Sequence, residues 1–265
     1  MRYSTSSIAA CAYVALAATL TVLPTAATAA VASFQEGVNG YTGTQDTWIT
    51  EFEGVRGADP TLLWDGPTGP DSVNPLLRFD NIFGLNPGHV PPGSTIISAM
   101  LTLHNAGNFG DAANVHRMLI PWTEADTYDT LGGGVLLNDI EAIATPDTTT
   151  SSGHSTPIFA DVTLSVQHWA AGAANYGWIF DELTIDGVLV HSSEAATPTP
   201  ADRPLLVIEF EPVPEPPAHV IMLLACLAML SFGWRPTPAS NLTRWASRPP
   251  TRSTENEKGD MTLAR

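Results

Sequence analysis

Apolar and polar residues alternate with a period of two along much of residues 31–212. Residues 97–104 and 206–211 show the clearest alternation, so each predicts a strand with one face on a core. The inward sets are Ile97, Ala99, Leu101 and Leu103 in the first strand and Leu206, Ile208 and Phe210 in the second. This pattern predicts an all-β fold, a single antiparallel β-sandwich of jelly-roll-like form. Weaker strand patterns, separated by turn-forming clusters, cover residues 46–53, 76–80, 114–121, 177–181 and 188–192.

One short helix interrupts the strands. Thr163 is suited to cap its start, and Gly172 lies near its end. We expect it to cover an open edge or end of the sandwich. The acidic, threonine-rich residues 139–156 predict a long disordered loop. The face of the helix that is predicted to be buried consists of Val166, Trp169 and Ala173.

The N-terminal residues have the pattern of a secretory signal peptide. Arg2 precedes an apolar stretch over residues 8–22, and small residues follow at 26–30. Ala27-Thr28-Ala29 has the small-x-small form of a signal-peptidase site, which predicts cleavage after Ala29. We therefore assign residues 1–30 to a signal peptide and predict export. The alternative is an N-terminal membrane helix that stays attached.

The C-terminal part begins with a proline-rich spacer and continues with an apolar run. Residues 220–234 are apolar, and Arg235 follows them. This run of about 15 residues is shorter than the roughly 20 that span a bilayer, and the arginine indicates a cytoplasmic edge. Residues 236–265 predict a disordered basic tail. The spacer carries the sequence VPEP at Val213, Pro214, Glu215 and Pro216.

This order of parts resembles the PEP-CTERM sorting signal of bacterial surface and exported proteins, over residues 213–235. The resemblance implies recognition and removal by exosortase-type processing machinery, with only transient membrane association. Such signals normally end soon after the basic cluster, whereas 30 residues follow here. A short permanent membrane anchor is the alternative.

Charge and cysteine are distributed unevenly. Residues 31–212 hold 23 acidic residues but only four basic ones, all arginines, which gives this region a net charge of −19. Such a surface repels phosphate backbones, so the composition argues against nucleic acid as a partner. Cys11 and Cys226 both lie in the apolar terminal segments. The exported domain therefore has no disulfide and no thiol chemistry.

Several phrases between residues 34 and 210 occur together in one order. They are FQEGVNGYTGTQDTWI, PLLRFD, STIISAMLTL, PWTEADTYD, FADVT, VQHWAAGAANYGWIF, HSSE and RPLLVIEF. In this order they resemble the DNRLRE domain, a β-sandwich of large bacterial and archaeal surface proteins. Its relatives include an alginate-binding carbohydrate-binding module. The resemblance implies the fold more specifically than it implies a ligand.

Two of these phrases place arginine beside apolar or acidic residues. Arg78 follows two leucines and needs a carboxylate partner, for which Asp161 or Glu194 is suited. Glu194 is also expected to lie beside Arg203 as a structural ion pair. The aromatic residues expected in the core are Trp169, Trp178 and Phe180.

The sequence carries no motif of a known catalytic site. It has no G-x-S-x-G elbow, P-loop or G-x-G-x-x-G fingerprint, and its histidines form no H-x-H or H-x-x-x-H pair. His104 and His116 could meet across adjacent strands, although solvent-facing histidines fit the pattern better. We therefore predict a protein that is not an enzyme.

Two kinds of binding site fit the composition. A glycan needs exposed aromatic rings, and a neutral glycan suits a domain of charge −19 better than a polyuronate does. Calcium prefers oxygen ligands, which two acidic loops offer, but neither loop has the twelve-residue calcium pattern, and a solvated acidic loop is the alternative. The candidate aromatic residues are Tyr41, Trp48, Trp64 and Tyr128. The candidate calcium loops contain Asp59, Asp65 and Asp71, or Glu124, Asp126 and Asp129.

Two functions follow from these observations. The first is an exported, non-catalytic protein of the cell surface or extracellular matrix, associated with exopolysaccharide. The alternative is a carbohydrate-binding module for a specific glycan, with or without calcium. Exposed stacked aromatics would favour the second function, and a featureless acidic surface would favour the first.

Overall fold

The computed structural model describes residues 28–66, 72–154, 156–196 and 200–213. These residues are mostly β-structure, with one helix and a short 3-10 turn at Pro200–Asp202. The elements are β1 (Ala30–Gln35), β2 (Thr44–Ile49), β3 (Thr61–Trp64), β4 (Asn74–Phe79), β5 (Thr95–Leu103), β6 (Asn105–Asn108), β7 (Ala113–Arg117), β8 (Thr148–Thr149), β9 (Ile158–Asp161), α1 (Thr163–Ala170), β10 (Trp178–Glu182), β11 (Val188–His191) and β12 (Leu205–Glu211).

The strands of the described residues form three antiparallel sheets. The first has the order β1-β12-β5-β9, the second β2-β4-β10-β7-β8, and the third β3-β11-β6. All of their pairings are antiparallel, as the sequence predicted. The all-β prediction is therefore confirmed, although a small third sheet accompanies the two larger ones.

The main core is built from the facing sides of these sheets. Trp64 and Phe180 stack with ring centroids 5.7 Å apart, and Phe79 meets Trp178 edge to face at 6.4 Å. Trp169, Trp178 and Phe180 are all buried in this core, as predicted. Its larger members are Phe34, Leu101, Leu206 and Ile208 from the first sheet, Leu77, Phe79, Trp178 and Phe180 from the second, and Leu62, Trp64 and Val190 from the third.

A second, smaller core covers the outer face of the second sheet. Leu76 and Ile179 point away from the main core and contact side chains of residues 118–142. Burial on both faces explains why two apolar residues, Leu76 and Leu77, follow each other in β4 instead of alternating with polar ones. Part of the predicted disordered loop belongs to this cover. Ala142 is buried, and Asp147 Oδ2 accepts a hydrogen bond from Ser165 Oγ at 2.6 Å, so the expectation of disorder was wrong.

A β-bulge corrects the predicted register of β5. Ser98 pairs with Glu209, but Phe210 pairs with Ile96, so Ile97 has no partner in β12. Ile96 is buried and Ile97 is 41% exposed, the reverse of the prediction. One extra residue in a strand turns the following side chain to the other face. The remaining inward residues of β5 and β12 are buried as predicted.

The helix lies against β5 at the edge of the main core. Val166 and Trp169 are buried, but α1 ends at Ala170, so Ala173 lies beyond it and is exposed. Thr163 does not cap the helix with its side chain. Asp161 Oδ1 instead accepts the Thr163 backbone N–H at 3.0 Å, and the Thr163 hydroxyl oxygen accepts the Ala99 N–H at 2.9 Å.

Candidate functional site

The four candidate aromatic residues lie in different environments. Trp64 is 0% exposed, and its Nε1 donates to the Asp111 carbonyl at 3.3 Å. It cannot present a ring face to a glycan, so its place among the candidates was wrong. The polar turn after Trp64 suggested exposure, but β3 pairs with β11 and carries the indole into the core.

Trp48 and Tyr128 are half-buried, and both have a covered surface. The Arg56 guanidinium carbon lies 4.6 Å from the Trp48 ring centroid, and Trp48 also packs against the main core. Gly134 lies against the Tyr128 ring, where an added Cβ would be 2.8 Å from Cε2. The two rings belong to separate parts of the chain, and neither lines the cleft that contains Tyr41.

Tyr41 lines a cleft of about 410 Å³ beside β1. The walls come from edge strand β1, the turn that follows it, and the loop after β4. We call this site the β1 cleft. Among the described residues, those that line it include no Asp, Glu, Lys or Arg, whereas the surrounding domain is strongly acidic. The polar residues that line it are Ser33, Asn39, Tyr41, Thr42, Asn81 and His89.

The turn that carries Tyr41 is fixed from several sides. Gly37 N–H donates to the Tyr41 carbonyl and Tyr41 N–H donates to the Val38 carbonyl, both at 2.9 Å. The Tyr41 hydroxyl donates to the Asp80 carbonyl at 2.9 Å, which joins the turn to the end of β4. The Tyr41 ring meets Phe34 edge to face, with centroids 5.3 Å apart. These contacts form the wall of the cleft without any ligand.

Two asparagines of the cleft have left-handed backbone conformations. Asn39 has a φ of 52° and Asn81 a φ of 56°, a region that non-glycine residues adopt rarely and asparagine most readily. Among the described residues, Asp139 is the other non-glycine residue with a positive φ. Strained conformations of this kind concentrate at binding sites. Both asparagines line the cleft, so amide donors and acceptors border it from two loops.

The electrostatic surroundings keep the Tyr41 hydroxyl neutral. Burial raises its pKa strongly, and the nearby carboxylates of Asp80 and Glu36 raise it further. The phenol therefore remains a hydrogen-bond donor across the physiological range. A cleft of neutral donors and acceptors beside an aromatic ring is suited to a hydroxyl-rich, uncharged ligand.

The second candidate calcium loop does not converge on a cation site. Asp126 uses its carboxylate locally, accepting the Thr123 N–H at 2.7 Å and the Thr130 hydroxyl at 2.9 Å. These bonds lower its pKa against the effect of burial. Glu124 instead accepts the Asp46 N–H at 3.3 Å, and Asp129 is exposed. The three carboxylates therefore serve different parts of the structure.

The aspartates of the first candidate calcium loop also make different contacts. Asp59 pairs with Arg56 at 3.2 Å, and Asp65 exchanges backbone hydrogen bonds with Val73, while Asp71 lies outside the described residues. No set of three His, Asp or Glu side chains in the described part of the chain has the arrangement of a metal site. Calcium binding by either loop stays a prediction.

The histidine pair does not form. His116 is buried, with Nδ1 2.8 Å from the Ile143 carbonyl. His104 lies elsewhere, with Nδ1 3.7 Å from Asp202 Oδ1, and its carbonyl accepts the His191 N–H at 2.9 Å. Burial lowers the pKa of His191.

The arginines have partners other than those predicted. Arg78 Nε donates to Asp80 Oδ1 at 2.6 Å, and the guanidinium also lies over the Trp122 ring. Arg203 donates to the carbonyls of Ala195 and Glu36 at 2.9 and 3.1 Å. In the described residues, Arg78 therefore pairs with neither Asp161 nor Glu194, and Arg203 forms no ion pair with Glu194, so both predictions were wrong.

Two carboxyl groups are buried that the sequence did not predict to be buried. Asp46 in β2 is 1% exposed and Ser193 N–H donates to its Oδ2 at 2.8 Å. Glu182 in β10 is also 1% exposed, and its Oε2 accepts the Gly66 N–H at 2.6 Å. Burial, followed by the nearby Asp65, raises the pKa of Glu182 to about 7. Contacts between residues so distant in the chain leave no local signal.

The targeting segments lie largely outside the described residues. Ala29 is exposed directly before β1, and Ala30, which we assigned to the signal peptide, is the first residue of that strand. Val213 is 55% exposed, and Pro214, Glu215 and Pro216 are not among the described residues. In the part that is described, no helix is long and apolar enough to cross a membrane.

The sequence matches no protein-family model and no curated protein. The DNRLRE and PEP-CTERM resemblances therefore stay predictions.

Proposed function

We propose that this protein is an exported, non-catalytic protein of the cell surface or extracellular matrix, and that its β1 cleft binds a neutral polysaccharide. The uncharged, amide- and hydroxyl-bearing lining that the described residues give the cleft carries the glycan part of this proposal. A sugar presents hydroxyl groups and apolar ring faces, which match amide side chains and a tyrosine ring. A polyuronate would meet the repulsion of a domain of charge −19.

The size and position of the cleft support the same ligand class. A volume of about 410 Å³ is within the range of small-ligand sites, and edge strand β1 supplies part of the lining. A cleft of this size has room for about one or two sugar units. The jelly-roll-like sandwich of the DNRLRE resemblance is part of this proposal, because such sandwiches are common scaffolds for binding modules.

A matched set of variants tests the glycan site. Asn39→Gly and Asn81→Gly remove the amide side chains while keeping a backbone that glycine adopts freely. Together they should weaken binding about tenfold, because two hydrogen bonds of roughly 0.5–1.5 kcal/mol each are lost. Asn86→Gly makes the same change at an exposed position of the loop after β4 that is not among the lining residues, and should have no effect.

The measurement is isothermal titration calorimetry with neutral glucans, mannans and galactans, with alginate in a separate arm and each titration repeated with EDTA. Stronger binding of alginate than of every neutral glycan would contradict the proposal. Correctly folded protein that binds none of them would favour the purely structural surface or matrix protein instead.

Export and sorting form the second part of the proposal. The signal-peptide pattern before Ala30 and the VPEP spacer with its apolar run support processing at both ends, by signal peptidase and by exosortase-type machinery. Intact-mass measurement on material from the native cell surface tests this. We expect a chain that begins at Ala30 and ends within or just after VPEP. Recovery of most molecules with Arg265 at the end would favour a short membrane anchor.

A further inference from the structure

Two histidines lie directly opposite each other where the first and third sheets meet. His104 is the residue between β5 and β6, and His191 is the last residue of β11. The His191 N–H donates to the His104 carbonyl at 2.9 Å, which continues the register in which Val190 pairs with Asn105. Opposite residues of an antiparallel pair carry their Cβ atoms about 4.5–5.5 Å apart on the same face. The two imidazole rings therefore start from neighbouring points of one surface.

Both histidine side chains lie on the outer face of their strands. Leu103 and Val190, which directly precede the two histidines, are buried, so strand alternation turns each histidine away from the core. Both histidines are half-buried. The rings can therefore be reached from solvent, and the sheet limits their movement more than a free loop would.

A carboxylate lies beside one of the rings. Asp202, at the end of the short 3-10 turn before β12, has Oδ1 at 3.7 Å from His104 Nδ1, within ion-pair range. A carboxylate at one ring nitrogen orients a histidine and leaves the other nitrogen, here Nε2, for a metal. Burial lowers the pKa of the second histidine, His191. A lowered pKa keeps an imidazole neutral, which is the form that binds metal.

The charge of the domain favours a cation at this position. Residues 31–212 carry a net charge of −19, which attracts cations to the surface. The neighbouring Arg203 uses its donors on the carbonyls of Ala195 and Glu36. In the described part of the chain, no three His, Asp or Glu side chains already have the arrangement of a metal site. A site here therefore has two protein ligands, and water completes its coordination.

We propose that His104 and His191 together bind a divalent transition-metal ion, Zn²⁺ or Cu²⁺, and that Asp202 positions His104 for this. Imidazole nitrogen suits Zn²⁺, Cu²⁺ and Ni²⁺, whereas Ca²⁺ and Mg²⁺ prefer oxygen. The ion joins β11 to the connection between β5 and β6. None of these three residues lines the β1 cleft, so the metal site does not depend on the glycan proposal.

Isothermal titration calorimetry of Zn²⁺ and of Cu²⁺ into the full chain tests the site. The wild type should bind one ion at this site, with Cu²⁺ bound more tightly than Zn²⁺. His104→Gln and His191→Gln each leave a single histidine, so each should lose this binding phase. Asp202→Asn removes only the positioning carboxylate and should weaken binding by about 10–100-fold.

His168→Gln is the matched control, because it removes an exposed histidine of α1 and should bind metal as the wild type does. Each titration is repeated in excess Ca²⁺, which fills oxygen sites but competes poorly for imidazole. Loss of Zn²⁺ binding in Ca²⁺ would overturn the proposal and indicate an acidic surface site. Equal Zn²⁺ affinity of the wild type, His104→Gln and His191→Gln would overturn it as well.

Two further measurements keep the test independent of whether a variant folds. The electron paramagnetic resonance spectrum of the Cu²⁺-loaded wild type should show coupling to two imidazole nitrogens, and Asp202→Asn should keep this spectrum. A wild-type spectrum without nitrogen coupling would contradict the site. Thermal unfolding without metal shows which variants fold. Zn²⁺ at 100 times its Kd should then raise the Tm of the wild type by about 5–10 °C and leave that of a folded His191→Gln unchanged.

Discussion

Phe79→Ala tests the packing of the main core at the point where it meets the β1 cleft. Phe79 is 0% exposed and lies between Tyr41, stacked with centroids 6.4 Å apart, and Trp178, edge to face at 6.4 Å. Truncation of a buried phenylalanine to alanine costs about 3–5 kcal/mol. The two aromatic contacts add about 0.5–1.5 kcal/mol each to ordinary burial, which places Phe79 toward the upper end, at about 4–5 kcal/mol.

Urea unfolding followed by tryptophan fluorescence measures this loss. A domain of this size should lose roughly 2–4 °C of Tm per kcal/mol, so the Tm of Phe79→Ala should fall by about 8–20 °C. Phe52→Ala is the matched control, because Phe52 is 73% exposed and its truncation should change stability by less than about 0.5 kcal/mol. A loss below about 1 kcal/mol for Phe79→Ala would show that the register of β4 is wrong.

Two further predictions concern Glu182 and the glycines. Because the pKa of Glu182 is raised to about 7, the folded state holds a proton that the unfolded state loses near pH 4.5, so its contribution to stability falls as the pH rises through this window. Glu182→Gln should therefore be more stable than the wild type at pH 8. The expected gain in unfolding free energy is on the order of 1–2 kcal/mol, after a reduction for solvent screening. Equal unfolding free energies of the two proteins at pH 8 would contradict this prediction. Gly110→Ala should destabilise the fold by roughly 1–3 kcal/mol, because the added Cβ would overlap the Asp186 carbonyl oxygen. Gly54→Ala is the control and should be neutral, because its added Cβ would meet no atom within 4 Å. Circular-dichroism melting curves compare the two variants, and similar Tm values would refute the prediction.

The strands that the sequence predicts best are those in which one face is buried and the other is wet. β12 alternates cleanly, and its inward residues Leu206, Ile208 and Phe210 are buried as the pattern requires. The prediction of the inward residues of β5 was wrong at one position. Ile96 and Ile97 are both apolar, so the pattern alone does not show which of them faces inward. The bulge that decides it depends on pairing with β12, more than 100 residues later.

Only one residue of the β1 cleft could be predicted from its local sequence. Tyr41 could be selected as an aromatic residue in a polar, turn-rich segment, and it does line the β1 cleft. Asn81 and His89 come to the same cleft from the loop after β4, and nothing in their local sequence distinguishes them. Trp64 satisfied the same local criterion as Tyr41, but pairing of β3 with β11 buried it.

One backbone donor on the free side of edge strand β2 is covered by another part of the chain. An exposed strand edge offers unpaired backbone groups to other chains, and an inward-pointing charged residue is one of the features that oppose such pairing. Here the Asp46 N–H, which β4 does not use, is occupied by the Glu124 carboxylate. The side chain of Asp46 points inward and accepts the Ser193 N–H at 2.8 Å. The Glu124 carboxylate thus covers a backbone donor on the free side of β2, and the buried Asp46 side chain accepts a hydrogen bond from Ser193 that an apolar residue at position 46 could not accept.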